Sequence, residues 1–244
     1  MKLPSGIKIK SYHNKKSYKA NPEIKLLNFN KLNKLILDKK YHEWINENDI
    51  VKPYYDIDLG FKTEEEMKNN DLPIREKWIK ILNDIYPDCK LAISSCNRYK
   101  ENPSKSDIKK GIHYFISIHF IVNNYYIKQG DMEDYNKKLG LEQYEEYDVS
   151  VYKSNQNFRL VNQSKPEKNN NITIFSPITF TEENEIKYHV IQLTNDYNLS
   201  NMKYIKIDRI DNQNNNNNDN IVMEEPEEKI DELLIPNEKT DIKE

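Results

Sequence analysis

Glycine, cysteine and long apolar runs are scarce in this chain of 244 residues, which contains five glycines and two cysteines. It has no Gly-x-x-x-x-Gly-Lys-Ser/Thr phosphate loop and no Gly-x-Gly-x-x-Gly turn, so ATPase, helicase and dinucleotide-dehydrogenase functions fit poorly. Two cysteines do not make the disulfide framework of a secreted domain. No apolar stretch approaches the roughly 20 residues of a membrane span, and residues 1–10 lack the apolar core of a signal peptide. We therefore expect an intracellular protein that is not secreted.

Charge is divided unevenly along the chain. Residues 211–244 hold 11 acidic and three basic side chains, whereas residues 1–210 hold 34 basic and 29 acidic ones. A mildly basic body suits a polyanionic partner. The basic residues are 33 Lys and only four Arg, and Lys does not replace Arg where a planar guanidinium grips phosphate. We therefore expect the guanidinium to matter at the four arginines, which are Arg75, Arg98, Arg159 and Arg209.

The sequence pattern divides the chain into three regions. Residues 1–20 are rich in Lys, Ser and Tyr without a period and predict a basic extended arm. Residues 21–210 mix helical and strand patterns in an irregular order, which predicts an α+β domain with a largely antiparallel sheet. Residues 211–244 combine an Asn run with a Glu-rich stretch and predict a low-complexity, disordered, acidic tail.

Hydrophobic periodicity locates the elements of the middle region. Apolar residues at helical spacing predict helices over 21–38, 63–85 and roughly 129–144. Alternating or β-prone runs predict strands over 53–60, 90–96 and 111–122, with shorter pieces over 147–152, 158–161, 172–175 and 188–193.

Asp56 and Asp58 are two residues apart on a predicted strand, so both carboxylates project from one face of it. Two close carboxylates repel each other unless a cation lies between them. A hard divalent metal ion with oxygen ligands is the natural occupant. The alternative is a pair of exposed acids at the end of a strand.

Ser117 and His119 share one face of the predicted strand over 111–122. A histidine flanked by apolar residues is commonly part of the core, and a functional histidine is the other interpretation. A zinc cluster of Cys89, Cys96, His113 and His119 is improbable, because six residues of strand separate the two histidines by about 20 Å. The cysteines also lack the short spacing of zinc ligands.

Asp148 stands at the head of a β-prone run. The densest set of potential phosphate and sugar ligands in the chain follows it, namely Tyr152, Asn155, Arg159, Ser164 and Lys165. Arg159 lies between two apolar residues of a predicted strand, where an arginine needs a phosphate or a carboxylate as its partner.

The ordered motifs Asp56-Ile57-Asp58, Ser117-Ile118-His119 and Tyr147-Asp148, followed by Arg159 and Lys165, resemble the archaeo-eukaryotic primase superfamily, of the primase-polymerase type. The likeness is greatest to the primase domains of poxvirus and giant-virus primase-helicases. It covers residues 50–195 or so. The resemblance implies that residues 21–210 form a primase-like catalytic domain, with an N-terminal α/β unit and an RRM-like palm.

The resemblance also implies an activity. The chain would be a DNA primase or primase-polymerase, a two-metal nucleotidyltransferase that makes primers on single-stranded DNA for viral DNA replication. Asp56, Asp58 and Asp148 would hold two Mg²⁺ or Mn²⁺ ions, and nucleoside triphosphates would be the substrates. The site of action would be the cytoplasm or the viral replication site of an infected cell.

The resemblance implies phosphate contacts as well. His119, helped by Ser117, would contact the triphosphate of the incoming nucleotide. Arg159 and Lys165 would grip phosphates of the nucleotide or the template, and Arg98 receives no role from the resemblance.

Two other functions stay open. Viral relatives usually continue into a helicase, so a helicase domain is expected on another or a continued chain. An inactive nucleic-acid-binding module would keep the basic body and recruit that helicase through the acidic tail. A metal-dependent nuclease or an Asp-x-Asp glycosyltransferase would use the acids but gives no reason for His119 and Arg159.

Overall fold

The computed structural model describes residues 3–12, 24–27, 32, 40–153, 155–163, 174–207 and 221–224. Within them, helices and strands alternate irregularly and form three sheets, so the fold is α+β as predicted. The helices are α1 (Glu64–Ile85), α2 (Lys105–Lys110) and α3 (Met132–Lys138). The strands are β1 (Ile7–Tyr12), β2 (Ile24–Leu27), β3 (Lys40–Ile45), β4 (Ile50–Val51), β5 (Tyr54–Phe61), β6 (Lys90–Ser95), β7 (Arg98–Tyr99), β8 (Tyr114–Asn123), β9 (Tyr125–Lys128), β10 (Gln156–Arg159), β11 (Ser176–Pro177), β12 (Lys203–Ile207) and β13 (Ile221–Glu224).

The first sheet has the order β10-β3-β1-β2, and all its pairs are antiparallel. Ile7 and Ile9 of β1 are buried in a small core with Leu160 and Val190. The extended arm is predicted for residues 1–20. Its residues 7–12 form β1, an inner strand of this sheet.

The helix predicted over residues 21–38 is wrong where the structure describes that range as strand, at β2. Its four residues pair with the edge of β1, from Ile7 opposite Leu27 to Lys10 opposite Ile24. Backbone hydrogen bonds to a neighbouring strand outweigh the weak local helix preference of so short a segment.

The central sheet has the order β11-β6-β8-β5, and β7 also pairs with β8. The strands predicted over 53–60, 90–96 and 111–122 are confirmed as β5, β6 and β8. Strand β8 is ten residues long and almost wholly buried, so it lies at the centre of the main core. Its position between β5 and β6 brings side chains from three strands onto one surface.

Helix α1 packs against one face of the central sheet. It begins at a capping box in which Thr63 accepts from the Glu66 amide and Glu66 reaches back to the Thr63 amide. Ile74, Trp78 and Leu82 lie on one helical face and are buried against the sheet, as their spacing predicts. Because this face of the sheet is filled by the helix, the opposite face is the one that can hold a site.

The third sheet has the order β13-β12-β9-β4. Only the β9–β12 pair is parallel among the strand pairs that the described residues form, so the predicted antiparallel character is confirmed. Strand β13 lies within the tail predicted for 211–244, and the rest of that tail is outside the described residues.

Several short predictions are corrected. The helix predicted over 129–144 is α3 flanked by 3₁₀ turns, and it ends before Gly140, whose φ of 68° is left-handed. The strand predicted over 147–152 reduces to a single bridge at Tyr147 followed by a 3₁₀ turn. The piece predicted over 188–193 is a 3₁₀ helix and one bridge, at Gln192.

The piece predicted over 158–161 is β10, which begins and ends two residues earlier. Of the piece predicted over 172–175, residues 172–173 lie outside the described residues, and the strand that follows is β11. Among the helices of the described residues, none combines the length and apolar character needed to cross a membrane.

Candidate functional site

Strand register brings the first two motifs together. In the antiparallel β5–β8 pair, Asp56 lies opposite His119 and Asp58 lies opposite Ser117. On the next strand, Ser94 of β6 lies opposite His119. Residues opposite each other in such a ladder project from the same face. The four motif residues therefore share the face of the central sheet that α1 leaves uncovered.

His119 lies against Asp56 and beneath two phenyl rings. Its Nε2 is 3.6 Å from Oδ1 of Asp56. The imidazole stacks on Phe175 at 3.8 Å between ring centroids and lies 4.2 Å from the ring of Phe158. Its side chain is only 6% exposed. The imidazole thus touches the acid pair, and the two rings cover it from solvent.

Arg98 joins the site from β7. Its Nη2 lies 3.4 Å from Oδ1 of Asp58, and its Nη1 donates to the carbonyl of Cys96 at 3.4 Å. The pairing of β7 with β8 places Arg98 opposite Phe115, two residues before Ser117. The Arg98 side chain is 7% exposed and that of Asp58 is 35% exposed. The buried guanidinium of Arg98 therefore offsets the charge of Asp58, which is partly exposed to solvent.

Arg159 reaches the same surface from the end of β10. Its guanidinium lies 4.4 Å from the ring centroid of Phe175, and the residue is 6% exposed. Burial, helped by the charge of Arg98, lowers the pKa of Arg159 to about 10, while Cys96, Asp56 and Asp58 oppose the shift. Its Nε is buried and makes no hydrogen bond to any residue that the structure describes. A buried guanidinium with a donor to spare is suited to an anionic ligand.

The third motif lies beside the first through the backbone. The amide of Asp148 donates to the carbonyl of Asp56 at 2.9 Å, and the amide of Asp58 donates to the carbonyl of Glu146 at 2.8 Å. The carboxylate of Asp148, however, accepts from the Ser150 amide at 2.9 Å and caps the 3₁₀ turn. Asp148 is therefore next to Asp56 in the sheet, while its carboxylate is engaged locally.

The donor set suits a divalent ion in kind. Asp56 and Asp58 are hard oxygen donors on one partly exposed surface, the ligand type that Mg²⁺ and Mn²⁺ prefer. Throughout the described ranges, no group of three or more His, Cys, Asp or Glu side chains is placed to hold a metal ion. Two carboxylates are compatible with Mg²⁺, which commonly keeps several waters and takes one or two protein carboxylates.

The other predicted ligands fall elsewhere. Ser164 and Lys165 lie outside the described residues. Tyr152 is buried, and its hydroxyl donates to the Tyr54 carbonyl at 2.6 Å, so it supports β5 from within the core. Arg75 pairs with Asp71 one turn earlier on α1 and takes no part in the site.

Sequence reasoning missed two contributors. Arg98 was visible as a rare arginine in a Lys-rich chain, but only the β7–β8 register shows that it meets Asp58. Phe175 carried no signal, because its contacts with His119 and Arg159 join distant parts of the chain. No protein-family model and no curated protein matches this chain. The function is therefore argued from the site itself.

Proposed function

We propose that this chain is a DNA primase or primase-polymerase, a nucleotidyltransferase that makes primers on single-stranded DNA from nucleoside triphosphates. The observation that supports it is the mixed charge of one surface, where Asp56 and Asp58 lie beside two buried arginines, Arg98 and Arg159. These groups come from β5, β7 and β10, which are far apart in the chain. A helicase domain on another or a continued chain would be its partner in replication.

Phosphoryl transfer suits such a surface because it needs positioning and charge neutralisation more than covalent chemistry from the protein. Asp56 and Asp58 would hold Mg²⁺ or Mn²⁺, which activates the attacking 3′-hydroxyl and offsets charge on the leaving pyrophosphate. Arg159 would bind the triphosphate through its Nε–H, which makes no hydrogen bond within the described part of the chain. Arg98 would turn from Asp58 to phosphate when an ion neutralises that acid.

Asp148 is the third ligand in this proposal, and with it the site would take two ions. Its backbone already bonds to Asp56. To reach a metal ion, its carboxylate would exchange the Ser150 amide for the ion. Asp148 and Ser150 are two residues apart, so only the Asp148 side chain would have to rotate for its carboxylate to leave the Ser150 amide.

In this proposal His119 would serve the site first through its contact with Asp56. The contact predicted between His119 and a triphosphate requires Phe158 and Phe175 to move aside, since their rings cover the imidazole. As the chain is folded, the imidazole instead lies 3.6 Å from the Asp56 carboxylate, where it would help to orient that group. Ser117 lies in register with Asp58 and belongs to the same polar row.

The test is template-dependent incorporation of labelled nucleotides on single-stranded DNA, with Mg²⁺, with Mn²⁺ and with a chelator. We expect synthesis that needs the divalent ion and that Asp56→Asn and Asp148→Asn each reduce at least 100-fold, since each loses a charged ligand (on the order of 3 kcal/mol). Asp84→Asn, which changes an exposed acid of α1, is the matched control and stays active. Synthesis at the wild-type rate by the Asp56→Asn protein contradicts the proposal.

A second candidate is an inactive nucleic-acid-binding module that recruits a helicase. The buried state of His119 and the missing third ligand within the described ranges favour it. It predicts salt-sensitive DNA binding that Asp56→Asn leaves unchanged, with no synthesis at any metal concentration. The incorporation assay therefore separates the two candidates directly.

A further inference from the structure

Residues 98–114, which connect β6 to β8, are named the 98–114 segment. This segment lies against the end of β5, the strand that carries the two acids. Its two ends meet through the Lys100 amide, which donates to the His113 carbonyl at 2.8 Å. The His113 amide donates in turn to the carbonyl of Phe61, at the end of β5, at 3.1 Å. The segment is thus hydrogen-bonded to the strand that carries Asp56 and Asp58.

A close approach at Gly60 fixes the segment further. A Cβ added at Gly60 would lie 2.5 Å from Cγ2 of Ile112, a distance that real side chains do not tolerate. Gly60 is two residues after Asp58 on the same strand. Because Gly60 has no side chain, Ile112 packs directly on β5. The segment is therefore held beside Asp58.

The segment presents aromatic rings to solvent. Tyr99 is 55% exposed, and its ring stacks on the imidazole of His113 at 5.8 Å with an interplanar angle of 18°. The ring of Tyr114 lies 5.2 Å from that of Tyr99, tilted at 57°. A large ring held at a fixed angle by two neighbours and still exposed is a platform on which a nucleic-acid base can stack.

The charge of the segment complements a phosphate backbone. It holds five basic residues and two acidic ones, in a chain whose net charge is −3. Helix α2 buries none of its residues, and its last turn carries Lys109 and Lys110. Those two lysines are exposed to solvent and belong to the same segment as Tyr99.

We infer that the 98–114 segment binds single-stranded nucleic acid, with a base stacked on Tyr99 and phosphates paired with lysines of α2. Stacking requires an unpaired base, so a single strand is favoured over a duplex. The inference rests on the proposed function only in that the bound strand would be the template. Binding itself needs neither the metal ion nor the acid pair.

The test measures binding of a labelled oligothymidylate of about 20 nucleotides to the full chain, in chelator, over a range of salt concentrations. We expect Tyr99→Ala to weaken binding about fivefold or more and Tyr99→Phe to bind as the wild type does. Lys109→Gln/Lys110→Gln is expected to weaken binding and to reduce the salt dependence by about one to two charges. Lys80→Gln/Lys137→Gln removes equal charge from exposed positions elsewhere and is the matched control.

Two outcomes overturn the inference. One is wild-type affinity in both Tyr99→Ala and Lys109→Gln/Lys110→Gln. The other is a duplex of the same length that competes as well as the single strand does. The binding inference and the proposed function can fail independently of each other. Asp56→Asn is expected to abolish synthesis and still bind the oligonucleotide normally. Tyr99-dependent binding in a chain that never synthesises DNA would support this inference and refute only the proposed activity.

Discussion

The Nε2 atom of His119 lies 3.6 Å from Oδ1 of Asp56, and the two residues are direct partners in the β5–β8 ladder. The imidazole is held on its other side by Phe158 and Phe175. Asp56 therefore lies against a side chain that two aromatic rings keep from rotating freely. The conformation of the acid pair depends in this way on packing contacts made by β10 and by the chain before β11.

His119→Phe separates the packing of this residue from its polarity. A phenyl ring preserves the stack with Phe158 and Phe175, so the free energy of unfolding should stay within about 1.5 kcal/mol of the wild type. The contact with Asp56 is lost, and we expect nucleotide incorporation to fall about tenfold or more. Urea denaturation and the incorporation assay measure the two quantities. An active His119→Phe protein would mean that Asp56 does not need the imidazole.

Arg159→Met is predicted to stabilise the fold or leave its stability unchanged. The guanidinium is buried, and burial lowers its pKa, so its charge is held at a cost in free energy. An apolar side chain of similar length should change the free energy of unfolding by zero to about +2 kcal/mol. The same variant should reduce incorporation at least about 100-fold, since the cation that we propose neutralises phosphate is lost.

Arg75→Met is the control for Arg159→Met, because Arg75 pairs with Asp71 on α1 and lies outside the site. We expect it to stay active. If Arg159→Met instead unfolds the chain at markedly lower urea, the guanidinium stabilises the fold by balancing Asp56 and Asp58. Incorporation at the wild-type rate by the folded Arg159→Met protein would contradict its proposed role towards phosphate.

Strong local periodicity made the central elements predictable. Helix α1 and strand β8 are long, and their apolar residues repeat at helical and alternating spacing, so the core face of each is fixed by the sequence pattern. The pattern also places Asp56 and Asp58 on one face and Ser117 and His119 on one face. It does not contain the register between β5 and β8, which only the folded sheet supplies.

The remaining features depend on contacts between distant parts of the chain. Strand β2 carries apolar spacing typical of a helix, yet it pairs with β1 because that edge offers hydrogen bonds. Arg98 meets Asp58 forty residues away, and Phe175 covers His119 although 56 residues separate them. The carboxylate of Asp148 turns to the Ser150 amide, a local cap that competes with any more distant role.

Removal of the cap of α1 should cost stability. Thr63→Ala deletes the side-chain oxygen that accepts from the Glu66 amide, and we expect a loss of about 1 kcal/mol in the free energy of unfolding. Ser104→Ala is the matched control, because Ser104 forms the same capping box on α2, a helix that buries none of its residues. Equal losses for the two variants would show that α2 contributes to global stability as α1 does.

A buried pair of opposite charges lies between β3 and the residue that follows β4. Glu43 of β3 is fully buried, and its carboxylate accepts from the amides of Ile191 at 2.9 Å and Gln192 at 3.0 Å. Lys52 is also fully buried, and its Nζ donates to Oδ1 of Asn123 at 2.9 Å and to the carbonyl of Lys187 at 2.8 Å. Burial raises the pKa of Glu43 to about 7 and lowers the pKa of Lys52 to about 7.

These shifts predict that the pair lowers stability most near pH 7. Between pH 4.5 and about 7, the folded chain holds a proton on Glu43 that the unfolded chain has lost, so stability falls as pH rises. Between about 7 and pH 10.5, the unfolded chain holds a proton on Lys52 that the folded chain has lost, so stability rises with pH. Each limb should amount to at least on the order of 1 kcal/mol.

The measurement is the urea midpoint from about pH 5 to about pH 9, compared between the wild type and Glu43→Gln/Lys52→Met. The double variant cannot titrate at either position, so the difference between the two proteins should pass through an extremum near pH 7. A glutamine offers one acceptor oxygen where the carboxylate offers two, so the variant carries a constant loss of about 1–3 kcal/mol that does not depend on pH. A difference that stays flat across this range would mean that Glu43 and Lys52 remain charged together as an ion pair, each holding the other in its ionised form.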